Sequence, residues 1–184
     1  MAVTDKNVKN QDVKRRTALF AYELVGTLII ALAIFALLTA YVVRIIGVDG
    51  TSMQPTLEHG DLLMLSVTDQ QYRRGDIVVV DRYTDSPLIK RIIAVGGDTI
   101  SISSDGQVSL NGKLLKEEYI QGQTVLRDFA GEVTVPSGYL FLMGDNRSVS
   151  KDSRMAEIGL VSVKDVVGKA TFCIWPLPSF GKIS

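Results

Sequence analysis

Leu88-Ile89-Lys90-Arg91-Ile92-Ile93-Ala94-Val95 is an apolar run of strand length that carries two adjacent cations. As a strand its side chains alternate between two faces. Lys90 then shares one face with Leu88, Ile92 and Ala94, and Arg91 shares the other with Ile89, Ile93 and Val95. A charge in an apolar row is costly unless it is paired or lost. Lysine can lose it, since full burial lowers an amine pKa from about 10.4 by up to about 3–5 units. Arginine cannot, so Arg91 calls for a carboxylate partner. The bland alternative places Lys90 at a sheet edge, where its stem lies on apolar surface and its amine reaches water.

Around this run the texture is that of a strand-rich chain. Further short apolar stretches broken by Gly, Asp, Asn and Ser predict strands over Asp61–Ser66, Asp76–Arg82, Thr99–Ser103, Gln107–Leu110, Thr124–Phe129, Tyr139–Met143 and Val163–Ile174. Asn111-Gly112 predicts a two-residue hairpin turn, because both residues tolerate positive φ. Pro55 predicts the first turn of a short helix starting near Met53, while Glu157–Leu160 is too short to assign as helix.

Upstream, Leu24–Val43 is twenty residues without a charge, enough to cross the roughly 30 Å hydrocarbon core as a helix. Lys6, Lys9, Lys14, Arg15 and Arg16 precede it, and after Arg44 no cation follows until Arg73. The positive-inside bias keeps such an N-terminus cytoplasmic. The run is also longer than the apolar part of a cleaved leader and lacks a small-residue cleavage site, which predicts a retained signal-anchor. The expected organisation is a cytoplasmic tail over 1–17, a transmembrane helix over 18–46 and an extracytoplasmic β-rich domain over 47–184. The fold class is mainly β, an antiparallel sheet or partly open barrel preceded by one transmembrane helix.

Composition removes several function classes. Twenty basic and twenty acidic residues cancel over 184, so no basic field points to nucleic acid. The single histidine, His59, and single cysteine, Cys173, cannot make a usual zinc site, and no metal or cofactor is expected. His59 reads as an exposed turn residue and Cys173 as a core residue. Arg74-Gly75-Asp76 reads as a strand-entry turn rather than an adhesion tripeptide. Ser148-Val149-Ser150-Lys151 lacks the companion motifs of penicillin-binding enzymes.

Two further segments become informative beside Lys90. Gly50-Thr51-Ser52-Met53-Gln54-Pro55-Thr56-Leu57 offers a serine soon after the anchor. Gly144-Asp145-Asn146-Arg147-Ser148-Val149-Ser150-Lys151-Asp152-Ser153-Arg154 is dense in hydrogen-bonding side chains after an apolar strand. A serine hydroxyl needs a base to become a nucleophile, and a dry lysine can be one. With Arg74–Val79 and Lys90–Asp98, these segments in this order resemble the bacterial type I signal peptidase (leader peptidase) family, from the anchor almost to the C-terminus.

The resemblance implies a serine endopeptidase that cuts signal peptides from exported preproteins after A-x-A-like sites. Ser52 would be the nucleophile and Lys90 the general base, with the Ser52 N–H facing the oxyanion. Where some members carry a serine donor, this chain has Gly50, so what completes the oxyanion hole is open. Ser150 would orient the lysine amine; Asp145, Asp152 and Arg154 would form a charged network, with Arg91 paired to one of these carboxylates. Ile46, Val48, Asp49, Leu57, Leu88 and Ile89 would receive the signal peptide as an added strand, in pockets that admit small side chains. The implied partners are signal peptides, the lipid bilayer and a nearby export translocase. Trp175 suggests that the C-terminal end lies near the bilayer. The compact length is similar to Gram-positive members. Two other readings are a tethered β-domain that binds extended peptides without cutting them, and a self-cleaving Ser/Lys peptidase.

Overall fold

The computed structural model describes residues 2–81 and 83–183. The chain divides into two compact units, Met1–Tyr41 and Val42–Ser184. Helix α1, Ala2–Val42, makes up the first, and its segment Arg15–Ala36 is long and apolar enough to cross a membrane. Phe20, Ile30 and Phe35 on that segment are exposed, as the side chains of a lipid-facing helix would be. The helix is shorter at its C-terminal end than the expected segment 18–46. From Val43 the chain turns to strand, because Val43–Gly47 is β-branched and finds an antiparallel partner in Leu62–Ser66.

Among the described residues the second unit contains twelve strands. They are β1 Val43–Gly47, β2 Leu62–Ser66, β3 Ile77–Val80, β4 Leu88–Val95, β5 Thr99–Ile102, β6 Val108–Leu110, β7 Lys113–Leu114, β8 Glu132–Thr134, β9 Tyr139–Met143, β10 Val161–Ser162, β11 Val166–Trp175 and β12 Gly181–Lys182. The main sheet runs β1-β2-β11-β3-β4-β9-β10, with β12 beside β11; a second sheet runs β7-β6-β5-β8. Every pairing between these strands is antiparallel. Register shifts in β11 at Ala170/Phe172 and Cys173/Trp175, and in β4 at Ile92/Ala94, bend the main sheet into a curled half-barrel. One apolar cluster, with Met53, Leu57, Leu63 and Cys173, lies under β1, β2 and β11. A second, with Ile100, Val108 and Phe141, joins the two sheets.

β4 and β9 form over the predicted residues, and six of the eight β4 residues are buried. β3 covers Ile77–Val80 only, and Arg82 at the end of the expected strand lies outside the described residues, as does Met1 of the expected tail. Thr124–Phe129 is not a strand: Arg127 adopts a φ of 57° there, which no ladder accommodates, and the Thr124 hydroxyl accepts a bond from Arg147. Nor is there a helix at Met53. Thr51–Leu57 is a series of turns, since the residue before a proline is driven away from helical backbone. Asn111 (φ 52°) and Gly112 (φ 75°) make the expected hairpin turn between β6 and β7.

Candidate active site

β4 is the central support of the site. Its pairing with β3 and β9 leaves no edge exposed, so Lys90 is 3% and Arg91 2% solvent-accessible. The edge-and-snorkel alternative for Lys90 is thereby excluded. Its Nζ lies 2.8 Å from Ser52 Oγ and donates to the Ile89 carbonyl at 2.8 Å. Burial drives the amine pKa down from 10.5 to about 8, against the pull of the Asp152 and Asp145 carboxylates. The amine therefore has a neutral fraction near physiological pH that a free lysine lacks, and it touches the Ser52 hydroxyl.

Ser52 is half-buried, and its carbonyl accepts the Asn146 N–H at 3.0 Å. Its own N–H has no hydrogen-bond partner among the described residues and so is available to a ligand. Gly50 adopts a φ of 89°, a backbone region where an L side chain is strained. This accounts for glycine at a position where a serine donor was the comparison. The Gly50 N–H donates to His59 Nδ1 at 3.2 Å, and that nitrogen also lies 3.4 Å from Asp49 Oδ1; His59 is exposed, as its turn predicts.

Arg91 finds its carboxylate in Asp145, through Nε to Oδ1 at 2.9 Å and Nη2 to Oδ2 at 2.7 Å. This fork is buried, and Arg91 also donates through Nη1 to the Gly75 carbonyl at 2.9 Å and through Nη2 to Thr56 Oγ1 at 3.4 Å. Thr56 Oγ1 donates to the same Asp145 oxygen at 2.5 Å, which ties the turn carrying Ser52 to the ion pair. Asp152 and Arg154 form a second buried fork, with bonds of 2.8 Å to each carboxylate oxygen. Burial raises the Asp152 pKa, but the Arg154 guanidinium outweighs it and holds the carboxyl below its ordinary range. The Gly144 N–H also donates to Asp152, at 3.1 Å.

Ser150 is fully buried, but its hydroxyl makes no hydrogen bond of normal geometry, to Lys90 or to any other described residue. It does lie close enough to Asp152 to favour the ionised carboxyl. Gly144 explains the crowding: a Cβ there would run into the Ser150 side chain and the Ser52 carbonyl. The loop 144–154 therefore approaches the Ser52 turn as closely as a main chain can.

Beside the pair runs a cleft of about 350 Å3 lined by Ile46, Val48, Asp49, Ser52, Ser86, Pro87, Leu88, Ile89 and Lys90. Five of the six expected peptide-contacting residues are there. Leu57 is not: it is 2% accessible and belongs to the core under β2 and β11, because the turns bring it inward beside Met53 and Leu63. Sequence reasoning passed over Thr56, Glu117, Tyr119 and Arg147. Arg147 was within the quoted loop, and its complete burial is the surprise. Glu117 and Tyr119 stand in a polar stretch with no periodicity to single them out. Among the described residues no cluster of histidine, cysteine and carboxylates suits a metal ion.

Residues 21–175 match the family described as signal peptidase, peptidase S26. A signal peptidase I from Bacillus licheniformis is 34% identical over 95% of this chain and 98% of its own length. Signal peptidase I S of Bacillus subtilis (strain 168) is 32% identical over 95% of this chain and 99% of its own. Among solved structures, a signal peptidase I from Enterococcus faecalis V583 superposes with a TM-score of 0.46 at 27% identity, covering 55% of this chain and 97% of that one. The chain belongs to the signal peptidase family of serine peptidases, peptidase S26.

Proposed function

We propose that this protein cleaves signal peptides from exported preproteins at a membrane surface, with Ser52 as nucleophile and Lys90 as general base. The observation that carries the reading is the 2.8 Å approach of a buried amine to the Ser52 hydroxyl. Neutral Lys90 removes the hydroxyl proton as Oγ attacks the scissile carbonyl, and the Ser52 N–H donates to the oxyanion. The ammonium then gives its proton to the departing amine, leaving a serine ester. Lys90, neutral again, deprotonates a water that hydrolyses the ester, which releases a carboxylate and restores Ser52.

The substrate docks extended along the cleft between Ile46–Asp49 and Pro87–Ile89. Val48 and Ile89 are buried in its floor, so the cleft is shallow and excludes large side chains near the cut. That supports A-x-A-like specificity, since a larger residue clashes instead of only losing contact. Helix α1 anchors the enzyme, with its basic N-terminus cytoplasmic and the β-rich unit outside. The test is processing of a preprotein by purified, detergent-solubilised protein. Ser52→Ala and Lys90→Met should each abolish cleavage while the protein still folds. Normal processing by either variant would remove the assignment; binding of an A-x-A peptide without hydrolysis by the native chain would favour a non-cleaving peptide module.

A further inference from the structure

The stretch between β7 and β8 contains no residue of the proposed dyad or cleft, yet it holds the site from two sides. The Arg91 guanidinium lies over the Tyr119 ring, its carbon 4.1 Å from the ring centroid. The Tyr119 hydroxyl donates to Glu117 Oε1 at 3.0 Å, and Glu117 takes Arg147 in a two-pronged ion pair, one prong at 2.8 Å and the other through Nη2. Arg147 in turn donates through Nε to the Gly144 carbonyl at 3.1 Å. The main chain closes the same loop: the Gln121 N–H donates to the Asp145 carbonyl and its own carbonyl accepts the Arg147 N–H, both at 2.8 Å. Asp145 and Gly144 brace the Ser52 turn through Thr56 and through direct packing, beside the Asn146 N–H bond to the Ser52 carbonyl.

We infer that Glu117 and Tyr119 are positioning residues for the Ser52/Lys90 pair: the 117–121 segment is a strap that fixes Arg91 by its ring face and the 144–147 loop by its buried arginine. Arg91 already spends its edge donors on Asp145, Gly75 and Thr56, so its flat face is what remains to be held. An aromatic ring is the group that holds a guanidinium face without competing for those donors. Glu117 supplies the charge that a fully buried Arg147 requires. Without the ring the Arg91–Asp145 fork loosens, and the Asp145 charge acts less shielded on the Lys90 amine.

This inference rests on the Ser52/Lys90 reading, and the test separates the two. Full-length Tyr119→Leu, Tyr119→Phe and Ser52→Ala proteins in detergent would be assayed on a short A-x-A peptide across pH, with thermal melting alongside. Tyr119→Leu should lower kcat about ten-fold with KM unchanged, as expected of a reacting pair displaced by less than an ångström. The rising limb of its kcat/KM profile should move to higher pH, which a mere loss of folded enzyme would not produce. Tyr119→Phe keeps the ring and should restore the limb to its native position. An unmoved limb and native kcat in Tyr119→Leu, with Ser52→Ala inactive, would overturn the strap and leave the dyad standing. An active Ser52→Ala protein would remove the dyad itself. Tyr119 is half-buried, so the leucine variant should melt close to the native protein; a Tyr119→Leu chain unfolded at assay temperature would also overturn the inference, by making the ring a support of the fold.

Discussion

Two adjacent residues on β4 solve the problem of a buried cation in opposite ways. Burial lowers the Lys90 pKa to about 8, so its amine sheds its proton far more readily than a free lysine, whereas Arg91 keeps its charge and takes Asp145 in a two-bond fork. The two are therefore not interchangeable. Arg91→Ala leaves Asp145 buried without its partner, which costs about 3–5 kcal/mol. Urea denaturation should register that loss as a lower midpoint, with activity falling even where the variant remains folded. An unchanged midpoint would mean that the fork does not bear on the fold. The need for a carboxylate could be read from Arg91 in its apolar row; which carboxylate answers it could not, because Asp145 is distant in sequence and the pairing exists only once β4 and β9 lie side by side.

At the level of elements, the legible parts were those whose pattern depends on burial alone. β4 and β9 are continuous apolar runs inside the sheet, and the Asn-Gly hairpin is set by local backbone preference. β1 was illegible because only Arg44 interrupts the passage from the apolar anchor into Ile45–Gly47, and one charge does not separate lipid-facing helix from edge strand. Thr124–Phe129 shows the converse. Its short apolar stretch imitates a strand, but Val125 is exposed and Thr124 serves Arg147 instead of a ladder. The close approach that bears on the site is at Gly144, which packs on the Ser52 carbonyl and Ser150. Gly144→Ala must push the Ser52 turn away from β4, and a shift of about 1 Å costs roughly 100-fold in rate. Steady-state kinetics should show that fall in kcat, with peptide affinity retained in the cleft.

For the molecule as a whole, the anchor and the β-rich unit make separate predictions. On the proposed topology, the charge asymmetry around α1 keeps its N-terminus cytoplasmic and the β-rich unit outside. Protease added to intact protoplasts should therefore digest the Val42–Ser184 unit and spare a tagged N-terminus; protection of the β-rich unit until lysis would reverse the topology. Charge and the long apolar helix were readable from composition, since both are properties of whole segments. The strap from Glu117 to Gln121 was not, since its role appears only where Arg91, Asp145 and Arg147 converge.

Catalysis in this account depends on an amine dry enough to be neutral, and the pH dependence of kcat/KM on an A-x-A peptide tests that most directly. The active form is the deprotonated one, so the rate should rise with pH and level off above an apparent pKa of about 8, well below the 10.5 of a free lysine. A profile that is flat through this range, or that climbs only near 10.5, would contradict Lys90 as the base.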